Sequence, residues 1–180
     1  MDKTLRYGLG VVLAMVVAAA PEAGFAQIDL GGLTKKAVKS AGGAAKNKVV
    51  ANVNKKLLAE GRKNQCSFKT DSDELMPGCD TKLKKLANAL VETKKSLEAG
   101  AVKSYKFEVS GHTDSTGKPE HNKELSRKRA AVIVRELVAR GVPQKEIVAV
   151  GMGAERPVVK NDNTEAKRKK NRRYEIQVRL

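Results

Sequence analysis

YKFEVSGHTDSTGKPEHNKELSRKRAAVIVRELVARG, Tyr105 to Gly141, carries two hydrophobic periods on either side of a polar loop. Tyr105, Phe107 and Val109 alternate with Lys106, Glu108 and Ser110, which is the period of a half-buried strand. Gly111 to Glu120 is polar and rich in short side chains. From about Asn122 to Arg140 the period is helical, with Gly141 as the stop signal and Pro143 beyond it. Leu125, Ile133 and Leu137 form one apolar stripe on this helix, with Ala130, Val134 and Val138 beside it. Arg129 stands four residues after Leu125 and four before Ile133, so the spacing places a guanidinium in the stripe. Such a charge costs several kcal/mol unless it is partnered.

The loop suggests a partner. A strand end and the following helix N-terminus lie close together, and the backbone N–H groups there are unpaired and attract anions. Helical side chains lean toward the N-terminus, so Arg129, two turns in, is expected to reach back to Asp114. The residues alone leave two readings open. One is a buried ion pair that only fastens helix to loop. The other is a partly open pair that grips a zwitterion, with Asp114 on its ammonium and Arg129 bidentate on its carboxylate.

Working outward, Cys66 to Lys69 reads as a short strand around Phe68, and Asp71 to Gly78 as turns. Asp80 is a candidate cap for a helix whose Leu83, Leu86, Ala87, Leu90, Val91 and Leu97 recur at helical spacing. Ile147 to Val150 is a further strand, closed by Gly151-Met152-Gly153. Asn163 or Thr164 opens another short helix, and Tyr174, Ile176, Val178 and Leu180 alternate as a last strand. The order βαβαβ(α)β predicts an α+β two-layer sandwich, a mixed sheet with helices on one face.

The N-terminal part reads differently. Lys3 and Arg6 precede a 13-residue apolar run, Gly8 to Ala20, and Gly24-Phe25-Ala26 offers small residues to a signal peptidase. Residues 1–26 are therefore expected to be a cleaved secretory signal. Residues 27–62 follow as a basic tether or helix, broken near Ala41-Gly42-Gly43, with Val49, Val50, Val53, Leu57 and Leu58 near one side. Residues 63–180 make the domain. Formal net charge is +16, and removing the signal takes away two bases and two acids, so the exported chain keeps that excess. An exported basic chain expects anionic partners such as cell wall, lipid headgroups or acidic saccharides, rather than nucleic acid. Export permits a disulfide between Cys66 and Cys79, the favoured state; free thiols or half a metal site are the alternatives.

Three segments in order, FEVSGHTDSTGKPEHNKELSRKRAAVIVRELVARGV, IVAVGMGAERPVVKN and KRKKNRRYEIQV, resemble the OmpA-like C-terminal domain of bacterial envelope proteins. The resemblance covers roughly residues 66–180. It implies the OmpA-like fold and non-covalent, non-enzymatic binding of peptidoglycan through the diaminopimelate of the stem peptide, without a cofactor. It implies that Asp114 takes the ligand ammonium and Arg129 its carboxylate, helped by backbone groups around Thr113. Asn122 is implied as a cap or ligand contact, Arg172 as a further contact, and Asp71 as a residue bordering the groove. His121 stands where the family often has Tyr, and Lys167 where Gly often precedes Arg168. The setting implied is the periplasm, with a link to the outer membrane or to an envelope partner.

Other chemistries fit less well. His112, Asp114 and Ser115 are hydrolase residue types, but neighbouring loop positions do not converge as a triad must. His112 and His121 lack an acidic cluster for a metal. The Lys167–Lys170 run lacks the exposed aromatics of a nucleic-acid surface. The competing reading is a recruitment module that reaches a protein or anionic lipid through the Lys-rich helix.

Overall fold

The computed structural model describes residues 30–180, with side chains from residue 42 onward; the signal-like segment 1–26 lies outside the described residues. The elements are α1 (Leu30–Lys63), α2 (Asp80–Ala99), β1 (Lys106–His112), α3 (Pro119–Val138), a 3-10 turn (Gln144–Glu146), β2 (Ile147–Gly151), α4 (Glu165–Asn171) and β3 (Arg173–Arg179). The sheet order is β2-β1-β3, with β1 parallel to β2 and antiparallel to β3. This is the expected α+β arrangement, a mixed sheet with helices on one face.

Three cross-sheet rows make that face. Ile147–Phe107–Val178 and Ala149–Val109–Ile176 are apolar, and Gly151–Gly111–Tyr174 is the third. Leu83, Leu86, Leu90 and Leu97 of α2 and Ile133 and Leu137 of α3 pack on them and are all but sealed from solvent. Each such side chain contributes about 1.5–3 kcal/mol of burial.

The third row decides where α3 lies. A Cβ on Gly111 would stand 2.2 Å from the Ser126 carbonyl oxygen, and one on Gly151 would stand 2.4 Å from that of Lys123. Two glycines side by side therefore let the first half of α3 touch the sheet backbone. The helix starts at Pro119, three residues before the expected Asn122, because proline at the first helical position is preorganised and has no N–H to lose. Asn122, Ser126, Ala130, Ile133 and Leu137 form its buried line. Leu125 and Arg129 are only half-buried, at the margin of the face rather than in the stripe that spacing alone assigns. Asp80 opens α2 as its first residue instead of capping it, and its carboxylate meets Arg140 at 2.8 Å.

Two features differ from the sequence reading at the N-terminal side. The helix is not broken at Gly42-Gly43, and α1 is continuous from Leu30. The boundary at 62/63 also divides a packed unit, since Val53 and Leu57 belong to the same core cluster as the sheet. Asn54 donates to the Val178 carbonyl at 3.1 Å and accepts the Val178 N–H at 2.6 Å. Gln65 does the same for Tyr174, at 2.8 and 3.1 Å. Side-chain amides thus stand in for a neighbouring strand along the outer edge of β3.

That occupancy explains the fate of the predicted strand at Cys66–Lys69. Phe68 forms only an isolated bridge with Leu75, and Lys69 and Met76 donate backbone N–H groups to Glu74 and Ser67 at 2.9 Å. Residues 67–76 are a small hairpin beside the sheet. Cys66 and Cys79 are joined as a disulfide across its base.

Gly111→Ala and Gly151→Ala are each expected to lower unfolding free energy by about 2–3 kcal/mol in urea titrations, by overpacking α3 against the sheet. Gly61→Ala, where a Cβ meets no atom within 4 Å, should raise it by roughly 0.5–1 kcal/mol. Replacing both cysteines by alanine should cost on the order of 3 kcal/mol by the same measurement.

Candidate functional site

The site forms where β1, the loop after it, the start of α3 and the 67–76 hairpin meet. Thr113 leaves β1 with its N–H on the Gly153 carbonyl at 2.9 Å, which ties the loop to the turn after β2. Asp114 then folds back on itself: its Oδ1 accepts the Thr116 N–H at 3.0 Å and the Thr116 hydroxyl. Asn122 lies inside the first turn of α3 and donates to the Thr116 carbonyl at 2.7 Å, so it holds the loop rather than capping the helix.

The expected Asp114–Arg129 pair does not form. Asp114 Oδ2 accepts from Arg172 Nη1 at 2.7 Å, and the other arm of Arg172 goes to Glu165. Arg129 is held by backbone instead. Its Nε donates to the Ser72 carbonyl at 2.8 Å and its Nη2 to that of Lys69 at 3.1 Å, while its Cζ stands 5.2 Å from the centroid of the Phe68 ring. The physical reason is geometric. With Ser126 turned into the sheet, Arg129 emerges on the hairpin side of α3, and two carbonyls there are aimed at it. Asp71 sits at the hairpin tip in a left-handed conformation and contacts His121 Nε2 at 2.6 Å, tying the tip to the start of α3.

Burial pushes the Asp114 carboxyl up, but hydrogen bonds from Thr116 and Arg172 outweigh it and hold the group below its ordinary range. Arg172 is raised, first by its bond to Glu165. Arg129 is lowered, first by burial and then by the neighbouring charge of Arg172. Two guanidinium groups therefore feel each other beside one carboxylate that is always ionised near neutrality.

Sequence reading missed the brace behind this pair. Asp162, buried, accepts from the Ser115 N–H at 3.1 Å, from the Ser115 hydroxyl, and from Asn171 Nδ2 at 2.8 Å. Asn171 in turn accepts the N–H groups of Val158 and Val159 at 2.9 and 3.0 Å and donates to the Val159 carbonyl. Ser115 follows Asp114 and Asn171 precedes Arg172, so one buried carboxylate fixes both flanks of the ion pair. Asp and Asn in a loop read from sequence as turn formers, and only the three-dimensional closure makes them a hub. Thr164 caps α4, as expected of one of the two candidates.

His112 faces Ser110, with Nε2 3.3 Å from its hydroxyl, rather than Ser115. Burial, then the Arg173 charge, lowers its pKa to about 4. Among the described residues no group of three or more His, Cys, Asp or Glu is placed to hold a metal. Two open hollows flank the loop. One, of about 180 Å³, is lined by Thr113, Ser115, Pro157, Lys160, Asp162 and Asn171. The other is lined by Gly117, Pro119, Asn122, Lys123, Met152 and Glu155. Asp114 and Arg129 line neither; Asp114 is buried and Arg129 half-buried.

Comparison with known proteins gives this geometry a context. The chain is 49% identical over 71 residues to outer membrane porin F of Pseudomonas fluorescens, a match covering 39% of this chain and 22% of the relative. It is 44% identical over 70 residues to the peptidoglycan-binding protein ArfA of Mycobacterium tuberculosis, covering 39% and 21%. It is 33% identical over 116 residues to the outer-membrane lipoprotein YfiB of Pseudomonas aeruginosa, covering 64% and 63%. The matched part is thus about a fifth of the length of the first two relatives. Among solved structures, the peptidoglycan-associated lipoprotein of Burkholderia pseudomallei is 27% identical with a TM-score of 0.52, covering 64% of this chain and 89% of that one. A putative MotB-like protein of Desulfovibrio vulgaris shares the fold at 17% identity, with a TM-score of 0.54 over 74% of this chain and 94% of its own. The model described as the OmpA family matches residues 67–172, more than half of the sequence, and the chain belongs to that family.

Proposed function

We propose that this protein binds peptidoglycan without chemical conversion, gripping the diaminopimelate of the stem peptide, and that it does so in the periplasm, linking the wall to the outer membrane or to an envelope partner. The observation that carries the reading is a buried, ionised Asp114 beside two guanidinium groups. Asp114 Oδ1 already accepts two bonds, whereas among the described residues Oδ2 accepts only that of Arg172, so an acceptor position is left for an ammonium. The ligand carboxylate goes to Arg129, and the hairpin carbonyls keep that side chain pointed at it. Thr113 and Asn122 act by fixing the loop, Arg172 as the neighbour of both charges, and Asp71 by pinning the hairpin tip through His121. The similarity to ArfA, a peptidoglycan-binding protein, and to the peptidoglycan-associated lipoprotein of Burkholderia pseudomallei supports the same ligand. The setting is supported by relatives named as outer-membrane proteins. Among the described residues no helix is long and apolar enough to cross a membrane.

A second reading has its own observation. Lys46 and Lys48 are exposed on the part of α1 that precedes its seat on the sheet, and Lys55 and Lys56 are exposed farther along. These exposed lysines suit an anionic lipid surface or an acidic protein.

Sedimentation with purified sacculi separates the two. Asp114→Ala or Arg129→Ala is expected to weaken binding by at least about tenfold, the effect of stripping one partner from a buried charge pair. Deleting residues 30–47, which stops short of the core contacts, should leave it intact. If only the deletion abolishes binding, the helix is the binding element. Because Asp114 is held below the ordinary carboxylate range, binding should be unchanged from about pH 7 to about pH 5, and be lost only as pH falls through its lowered pKa.

A further inference from the structure

The charges of the site do not balance, and the imbalance has a direction. Asp114 is matched by Arg172 at 2.7 Å. Glu165 is matched by the other arm of Arg172 and by Arg168 at 3.1 Å. These four groups sum to zero. Among the described residues Arg129 meets no carboxylate within 4.0 Å; the groups that hold it are the neutral carbonyls of Ser72 and Lys69. Asp71 is engaged by His121. Asp71, Asp73 and Asp114 act on Arg129 only through space, and Arg172 opposes them.

The geometry of the guanidinium adds to this. Its five N–H donors form a planar fork. The Nε–Nη2 edge is consumed by the two carbonyls. The end edge, Nη1 with the second N–H of Nη2, has no partner among the described residues. Two parallel donors on a half-buried cation suit a carboxylate in the fork-to-fork arrangement. A carboxamide offers one acceptor and one donor. Its NH2 would face a guanidinium N–H, and it would leave the charge unneutralised where water screens it poorly. Amidation would also make the gripped end of the ligand a net cation, entering beside Arg129 and Arg172.

We infer that the site is selective for the charge state of its ligand: it takes stem peptides whose diaminopimelate carries a free carboxylate next to its free ammonium, and rejects those in which that carboxylate is amidated. The inference rests on the peptidoglycan-binding reading. Arg129 is then a specificity-determining residue as well as an anchor. Its side edge belongs to the hairpin, and its end edge tests the ligand.

The test uses two soluble muropeptides that differ only in that group, carboxylate or carboxamide, titrated calorimetrically into the whole chain and its Arg129→Gln variant. The wild type should bind the acid at least roughly tenfold more tightly than the amide. In Arg129→Gln the acid should weaken while the amide changes little, so the ratio falls toward about one. Arg129→Lys, which keeps the charge without the fork, should fall between, and thermal melts check that each variant is folded. Equal affinity of the two ligands for the wild type, or tighter binding of the amide, overturns the selectivity and leaves peptidoglycan binding standing. A ratio that persists in Arg129→Gln shows that another group selects, and overturns the assignment to Arg129. Binding of neither muropeptide overturns the peptidoglycan reading itself, and this inference with it.

Discussion

The contact between α3 and the glycines of β1 and β2 sets the geometry on which everything else relies. Any side chain at Gly111 or Gly151 would lift the helix off the sheet. With the helix down, Ser126 reaches the Gly153 N–H at 2.8 Å, and the turn after β2 locks the loop after β1 through Thr113. The rotation that buries Ser126 is also the one that presents Arg129 to the hairpin. A local close approach of backbones, with no ligand chemistry in it, therefore chooses which face of α3 carries the charge.

Around that frame the site is built from charges whose partners come from different elements. The loop after β1 carries Asp114, Arg172 follows the last residue of α4, and α3 delivers Arg129. To Arg129 the hairpin supplies the carbonyls of Ser72 and Lys69 and the ring of Phe68. A neutral anchor positions a cation without spending its charge. A carboxylate anchor would hold it more strongly and leave less of it for a ligand. The Asp114–Arg172 pair is in addition braced from behind by Asp162 and Asn171, so the unliganded site is already ordered, and ordering costs on binding are correspondingly small.

How far the sequence could be read follows from what spacing encodes. Alternation at Phe107 and Val109 and at Ile176 and Val178, and the helical recurrence of Leu83 to Leu97, located the sheet and α2, because period is a property of one element. Spacing also put Leu125, Arg129 and Ile133 on one helix face, but it could not say how that face is turned toward the sheet. The turn depends on Gly111 and Gly151, which lie on other elements. The same limit hid the partner of Arg129: lone carbonyls leave no trace in side-chain chemistry. Phe68 had a strand-like setting, yet Asn54 and Gln65 had already filled the edge of β3, a competition visible only in three dimensions. Gly42 and Gly43 looked like a break because glycine weakens a helix; at that point α1 stays helical through them.

The course of the chain through α1 and the hairpin has a mechanical consequence. At about 1.5 Å per residue the 34-residue helix is roughly 50 Å long, and its later part, around Val53, Asn54 and Leu57, is seated on the sheet. Tension applied at its N-terminal end would run down the rod, load the Asn54 amide in shear, and arrive at Cys66. There the disulfide acts as a shunt. Force crosses directly to Cys79 and the head of α2, and residues 67–78 hang outside the stretched path. The slack loop is the one whose carbonyls steady Arg129, so a tug on the rod would leave the grip undistorted.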